Sequence, residues 1–244
     1  MFPGRAKIVS LIISANLAIF ALWFSASLGY MDPEFLEQNF LVSWTAISEG
    51  RWWTLLTSAF SHILTFHIFL NMYALMGFGP IIEATLGSMR FLRFYLLASV
   101  ISSAAHAVVS AKLVGNPDLP ALGASGAVSG VILLFSLLYP KQKILIMGLI
   151  PVPAFFGSIL IIGLDLWGLW AQAGGGGLPI GHGAHLGGAF TGAAYYLLIL
   201  RPQIRRHLAE RAAFEALAVP VAFADEEPHR QNGGEDHDRD RHGQ

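Results

Sequence analysis

The sequence predicts an all-α, polytopic membrane protein: a bundle of six transmembrane helices. Three observations predict it. Of the 244 residues, 54% are hydrophobic and only 13% charged, and the mean hydropathy is +0.55, a balance that soluble domains do not show. The apolar residues gather in runs of about 17–25 residues, long enough to cross a bilayer, rather than in amphipathic stripes. The short basic clusters fall on one side of those runs only, as the positive-inside rule requires of a multi-spanning chain.

In order, the apolar runs place spans near 8–30, 62–82, 91–111, 123–140, 144–170 and 182–200, with residues 31–61 as a long first loop. Arg5 and Lys7 precede the first span, Arg90 and Arg93 separate the second and third, Lys141 and Lys143 the fourth and fifth, and Arg201, Arg205 and Arg206 follow the sixth. That side is cytoplasmic, so both termini are expected in the cytoplasm. The first loop, the loop 112–122 with Lys112 and Asp118, and the glycine-rich "AQAGGGGLP" loop (171–179) then face outward. Arg51 is a mild exception, with acidic residues beside it. The first span lacks a convincing small-residue cleavage site and is too long for a signal peptide.

Residues 1–202 are expected to form one membrane domain. The segment 203–244 ends in "DEEPHRQNGGEDHDRDRHGQ", too charged to bury a core, and is expected to be a disordered cytoplasmic tail. His229, His237 and His242 there can meet a metal, although a solvated tail explains them as well. The chain has no cysteine, which excludes disulfides, thiolate metal sites and a catalytic thiol; a nucleophile must be a hydroxyl or a carboxylate. The net charge of −1 and the lack of a basic stripe argue against nucleic acid as a partner.

The even-numbered spans all run from outside to inside, so residues near their starts share one depth. His62, His67 and Asn71 stand at the start of the second span, Ser125 at the start of the fourth, and His182 and His185 at the start of the sixth. Polar groups inside a bilayer are costly and face a bundle interior or a wet cavity, so this stratum is a candidate site.

Pro117 and Pro120 disfavour helix and move the start of the fourth span to about residue 123 or 124. Ser125 then lies in the first turn, where backbone N–H groups lack partners and the helix dipole is positive, a setting that can hold an oxyanion. Packing competes as an explanation: Gly126 and Gly130 form G-x-x-x-G, a helix-contact face. In "GHGAHLGGAFTG", Gly188 and Gly192 repeat that pattern on the face that carries His185. Two smooth faces let the backbones approach until a hydroxyl reaches an imidazole, the minimal nucleophilic pair. His182, three residues before His185, is a competing base nearer the glycine loop.

His67 and Asn71 share a face of the second span and can both donate to an oxyanion. His62 falls on another face and is expected to tie down the first loop. His106 and Asp165 are expected to be satisfied structural groups, with Asp165 placed where a moving helix can be held. No metal is expected: three histidines and an asparagine of the stratum could bind one, but no carboxylate joins them there.

These residues resemble the rhomboid family of intramembrane serine proteases over about residues 8–200. The resemblance rests on "WW" at 52–53, "HILTFHIFLN" (62–71), "EATLG" (83–87), "GASG" (123–126) and "AHLGG" (184–188). The wording "NMYALMGFG", "GASGA" and "AHLGGA" is most similar to the subgroup of mitochondrial presenilin-associated rhomboids and their bacterial relatives, and Asp165 matches an aspartate of that subgroup. The resemblance implies a Ser125–His185 dyad open to an outer water-filled cavity. It implies an oxyanion site of the Ser125 backbone N–H, His67 and Asn71, with His62, Gly123 and Gly126 in support and no cofactor. Two positions depart from the family: Thr54 stands where many members have arginine, which leaves Arg51 to anchor the first loop, and Ser129 where other subgroups stack an aromatic on the histidine, so packing is expected to orient His185.

The implied activity is endopeptidase cleavage of transmembrane segments near their outer end, with membrane-protein substrates and the lipid bilayer as partners. A substrate helix must first unwind, at lower cost where it carries Gly, Pro or polar residues. The fifth span, with Trp167 and Trp170 at the interface and the glycines 174–177 as a hinge, is expected to be the gate. The rivals are a rhomboid-like pseudoprotease that binds such clients without cutting, and a transporter, which needs polar residues through the full membrane depth. A bacterial inner membrane is the expected compartment.

Overall fold

The computed structural model describes residues 6–146, 149–178 and 180–218. Within the first of two compact units, which runs to Arg201, helix α1 spans Lys7–Ser27, α5 Thr65–Leu86, α6 Ser88–Val109, α7 Ser125–Leu138, α8 Ala154–Ala173 and α9 His182–Tyr195. The first loop carries three short helices, α2 (Pro33–Phe40), α3 (Trp44–Ser48) and α4 (Thr54–Thr57). Among the described residues, five helices are long and apolar enough to cross a membrane: α1, α5, α6 with its π-helical end at Ser110–Val114, α8, and the run that starts at His182.

Helix α7 is the exception, and its shortness matters. Its 14 residues make about 21 Å at 1.5 Å per residue, against a hydrocarbon core of about 30 Å. The span expected over 123–140 therefore cannot cross alone. Backbone outside a helix is tolerated at membrane depth only where protein or water covers it, and here the first loop provides the cover. Val42 and Ala121 exchange backbone hydrogen bonds at 3.0 and 2.8 Å, and Gly123 N–H donates to Ser58 O at 2.8 Å. Trp23 of α1 donates from Nε1 to Ser61 Oγ at 2.6 Å, fixing the end of the loop.

The fifth span differs from its expected range of 144–170. Residues Lys143–Ile146 (β1) and Ile150–Pro153 (β2) pair as an antiparallel hairpin, and the helix starts only at Ala154. Pro151 and Pro153 lack N–H donors and are tolerated at the edge of a two-stranded ribbon, not in a helix interior. Ala154 N–H then donates to Gln142 O at 2.8 Å, so the hairpin base caps the start of α8. The first span likewise ends at Ser27 rather than near 30, where Gly29 turns the chain with φ +81°.

The core lies between α1, α5, α6 and α7, around the fully buried Leu75, Ile82, Phe91, Tyr95, Val131 and Leu134. Outward faces are also apolar: Phe69, Met76, Phe156, Trp167 and Phe190 are exposed, a surface suited to lipid rather than water. At the turn between α5 and α6, buried Glu83 accepts from the N–H groups of Ile8 and Val9, at 3.1 and 3.0 Å, and from Ser88 Oγ. Its carboxylate thus caps the start of α1, which no residue of its own caps.

In the second unit, from Pro202, helix α10 (Arg201–Ala218) occupies every described residue. The expectation of a disordered tail from 203 is corrected to that extent: "IRRHLAERAAFEALA" is rich in good helix formers. His229, His237 and His242 lie outside the described residues.

Candidate active site

The site is assembled where α7 and α9 meet. A side chain on Gly188 would overlap the Gly126 carbonyl oxygen, and one on Gly192 would lie 2.5 Å from the Gly130 carbonyl oxygen. Only glycine allows that approach of one backbone to another. The contact also sets the register of the two helices. Gly126, the neighbour of Ser125, faces the carbonyl of Ala184, the neighbour of His185, 3.2 Å from where its Cβ would stand. Ser125 is the first residue of α7, so its backbone N–H is one of the donors that the helix leaves unpaired.

Behind the serine, Gly123 takes φ +119°, a conformation that other residues avoid, and a Cβ there would lie 2.6 Å from His67 Cε1. The His67 imidazole therefore rests on the turn that enters α7. His62 stands against it, ring centroids 4.9 Å apart, and accepts through Nε2 the N–H of Ala124 at 3.3 Å. An accepting Nε2 means that His62 is neutral and holds the serine turn. Asn71 is buried and donates from Nδ2 to its own helix at His67 O, 2.9 Å; one of its amide hydrogens remains free.

Asp165 overturns an expectation. Taken as a structural group, with no carboxylate at the histidine stratum, it is 6% exposed and its Oδ1 lies 2.8 Å from His182 Nδ1 and 2.9 Å from His185 Nδ1. An ionised carboxylate only accepts, so both Nδ1 atoms carry hydrogen and Nε2 of His185 is left with its lone pair. The expectation that packing alone must orient His185 is corrected: Asp165 does it. Asp165 lies in the second half of α8 and so meets residues at the start of α9, the next helix in the chain.

His182 is the first residue of α9 and packs on Gly168 of α8, where a Cβ would overlap its ring. His185 is half-buried. With Asp165, Ser129 and Ser158 it lines a cavity of about 20 Å³ between α7, α8 and α9, room for about one water. Ser129 donates to Ser125 O at 2.9 Å and so braces α7 instead of stacking on the histidine. No hydrogen bond joins Ser125 Oγ to His185; catalytic bonds in unliganded enzymes are often long and tighten with substrate.

The first loop is not anchored by Arg51, whose guanidinium pairs with nearby exposed Glu49 at 2.6 Å. Thr54 is fully buried and donates to Arg51 O at 2.7 Å, and Trp53 Nε1 donates to Asn39 Oδ1 at 3.0 Å. Trp167 and Trp170, expected at a gate, are 66% and 75% exposed on α8. The glycine loop is gathered by Gln172, whose Nε2 donates to Leu178 O and Ile180 O, both at 2.7 Å. His106 donates from Nε2 to Leu119 O at 3.1 Å and holds the loop before α7.

The chain is similar to known proteins over this same region. A family model described as Rhomboid domain matches residues 49–202. The RHOMBOID-like protein 12, mitochondrial, of Arabidopsis thaliana is 34% identical over 213 residues, covering 82% of this chain and 60% of that protein. The Rhomboid-like protein 16, chloroplastic, of the same plant is 35% identical over 176 residues, 67% of this chain and 53% of its own. The presenilin-associated rhomboid-like protein, mitochondrial, of Homo sapiens is 33% identical over 191 residues, 78% of this chain and 47% of its own. The chain thus spans about half to three-fifths of the length of these relatives.

Proposed function

The chain belongs to the rhomboid family of multi-pass helical membrane proteins, and on that premise we propose that it is an intramembrane serine endopeptidase that cuts transmembrane segments near their outer end. The observation that carries the reading is the 2.9 Å contact of His185 Nδ1 with buried Asp165, on a helix packed backbone to backbone against the one that Ser125 begins.

In this mechanism Nε2 of His185 takes the Ser125 proton as Oγ attacks the scissile carbonyl. Asp165 fixes the imidazole tautomer and stabilises the imidazolium that forms. The oxyanion is received by the Ser125 backbone N–H, His67 and the free amide hydrogen of Asn71. Gly123 leaves room for the His67 ring, Gly126 lets α7 approach α9, and His62 holds the turn. His185 then protonates the leaving amine, and water hydrolyses the acyl-enzyme. The dyad expected for the site thereby becomes a triad.

The gate is best placed beyond Asp165. If α8 swung as one body, its carboxylate would leave His185, so the moving part is Trp167 onward with the 174–177 loop. The substrates are membrane proteins whose helix unwinds readily near its end. The orientation proposed puts both termini in the cytoplasm, by the basic clusters. A bacterial inner membrane remains the proposed compartment, set against relatives named mitochondrial and chloroplastic.

A second reading, a pseudoprotease that binds such helices without cutting them, is favoured only by the missing Ser125–His185 hydrogen bond. Purified protein in liposomes, offered an anchored helix carrying Gly and Pro near its outer end, decides between them. Cleavage that Ser125→Ala abolishes supports the protease. Intact substrate that co-purifies with folded wild type supports the other.

A further inference from the structure

We propose that Asp165, His182 and His185 form a binding site for a divalent transition-metal ion of the zinc class, and that the bound ion switches the enzyme off. The three groups offer one carboxylate oxygen and two imidazole nitrogens, all within 4.8 Å of one another. The donor set, two imidazoles and a carboxylate, is one that zinc accepts, with a fourth position for water. This departs from the expectation that the site holds no metal, which rested on the absence of a carboxylate at this depth.

The fit needs little movement. Zinc bonds of about 2.0–2.2 Å arranged tetrahedrally put neighbouring donor atoms about 3.3 Å apart, while the present N···O separations are 2.8 and 2.9 Å. Each N···O pair opens by about half an ångström, and the two Nδ1 atoms, within 4.8 Å of each other, settle to the same spacing by side-chain rotation. The cavity lined by Asp165 and His185 offers room for the fourth ligand, and half-buried His185 gives a route from the outer side. The ligands are also braced: His182 lies against Gly168, and α9 is locked to α7 through Gly188.

His182 is otherwise unexplained. A triad needs one imidazole on the carboxylate, and here a second shares the same oxygen. As a positioning residue His182 competes with His185 for Asp165; as a metal ligand it completes a three-donor set.

The switch follows from proton placement. In the active state His185 carries its hydrogen on Nδ1 and accepts at Nε2. A metal takes the lone pair of Nδ1, so the neutral ring must carry its one proton on Nε2, relocated through water. Nε2 can then no longer accept the Ser125 proton. This inhibitory half rests on the Ser125–His185 reading above; the binding half does not.

The test uses the full chain in detergent with its tail histidines, His229, His237 and His242, replaced by Gln, and no affinity tag that binds metal. Co²⁺ is titrated and its visible absorption read, and Zn²⁺ is then added to displace it. Wild type and Ser125→Ala should each give the intense bands of a tetrahedral site at one ion per chain. His182→Gln should weaken Co²⁺ binding at least about tenfold, and Gly168→Ala, which pushes on His182 without removing a donor, should weaken it as well. Cleavage by wild type should fall as Zn²⁺ saturates the site, with the His182→Gln curve shifted at least about tenfold relative to its own metal-free rate. Folded wild type without the Co²⁺ spectrum, or a spectrum unchanged in His182→Gln, overturns the site. Zn²⁺ that binds but leaves cleavage intact overturns the switch. Binding that disappears in His182→Gln while wild type never cleaves retains the metal site and rejects the protease instead.

Discussion

Asp165 holds His185 from a different helix, Oδ1 to Nδ1 at 2.9 Å, and holds His182 through the same oxygen at 2.8 Å. One buried carboxylate therefore ties α8 to α9 and selects the tautomer that leaves His185 Nε2 basic. A shared acceptor also sets an order of severity. Asp165→Asn presents a group that can donate as well as accept and permits the wrong tautomer, so cleavage in liposomes should fall by about two orders of magnitude or more. His182→Ala leaves the His185 bond in place, and its metal-free rate should change by about tenfold or less. Equal losses in the two variants would mean that the pair of bonds serves packing rather than tautomer selection.

The close approach of α7 and α9 predicts a stability defect. A methyl group on Gly188 meets the Gly126 carbonyl, a backbone atom that cannot rotate aside. Gly188→Ala should destabilise the bundle by about 1–3 kcal/mol or more and separate Ser125 from His185. Thermal unfolding in detergent reads the first effect and cleavage the second. Wild-type values for both would show that the two backbones are not in contact.

Gly123 makes the opposite separation, function before stability. Its φ of +119° and the His67 ring 2.6 Å from a would-be Cβ mean that Gly123→Ala strains the turn by about 1–3 kcal/mol and moves a proposed oxyanion donor. Cleavage should drop more than about tenfold while the far end of the bundle, reported by hydrogen exchange around Glu83 of α5 and at the start of α1, stays protected. Full activity in this variant would remove His67 from the oxyanion site.

Glu83 predicts a purely structural loss. Glu83→Gln keeps one carbonyl acceptor for the Ile8 and Val9 N–H groups and loses the negative charge at the start of α1. The cost should be about 1–2 kcal/mol, seen as a lower unfolding temperature with the residual folded protein still active. Inactivation without destabilisation would contradict the capping role.

Much of this was legible in the sequence, and the gaps have physical causes. Length and apolarity marked the five long apolar helices among the described residues, and the prolines 117 and 120 marked the approach to the start of α7, because both act locally. The hairpin at 143–153 was missed since "KILIMGLIPVP" is a short apolar run, for which periodicity cannot separate strand from helix; Pro151 and Pro153 carried the available warning. Asp165 was placed on the right helix but given the wrong company. In a multi-spanning bundle the ends of odd spans share a level with the starts of even ones, which puts Asp165 and His106 beside the histidines. Which of two neighbouring histidines meets the carboxylate is a matter of packing, and here both do.

The account turns on whether Ser125 is an activated nucleophile, and labelling of the detergent-solubilised protein by a fluorophosphonate tests that without knowledge of the substrate. Wild type should be labelled at Ser125, Ser125→Ala and His185→Ala should not be, and Asp165→Asn should react about a hundredfold more slowly. A folded wild type that takes no label, or an Asp165→Asn variant that labels at the wild-type rate, would contradict the proposed triad.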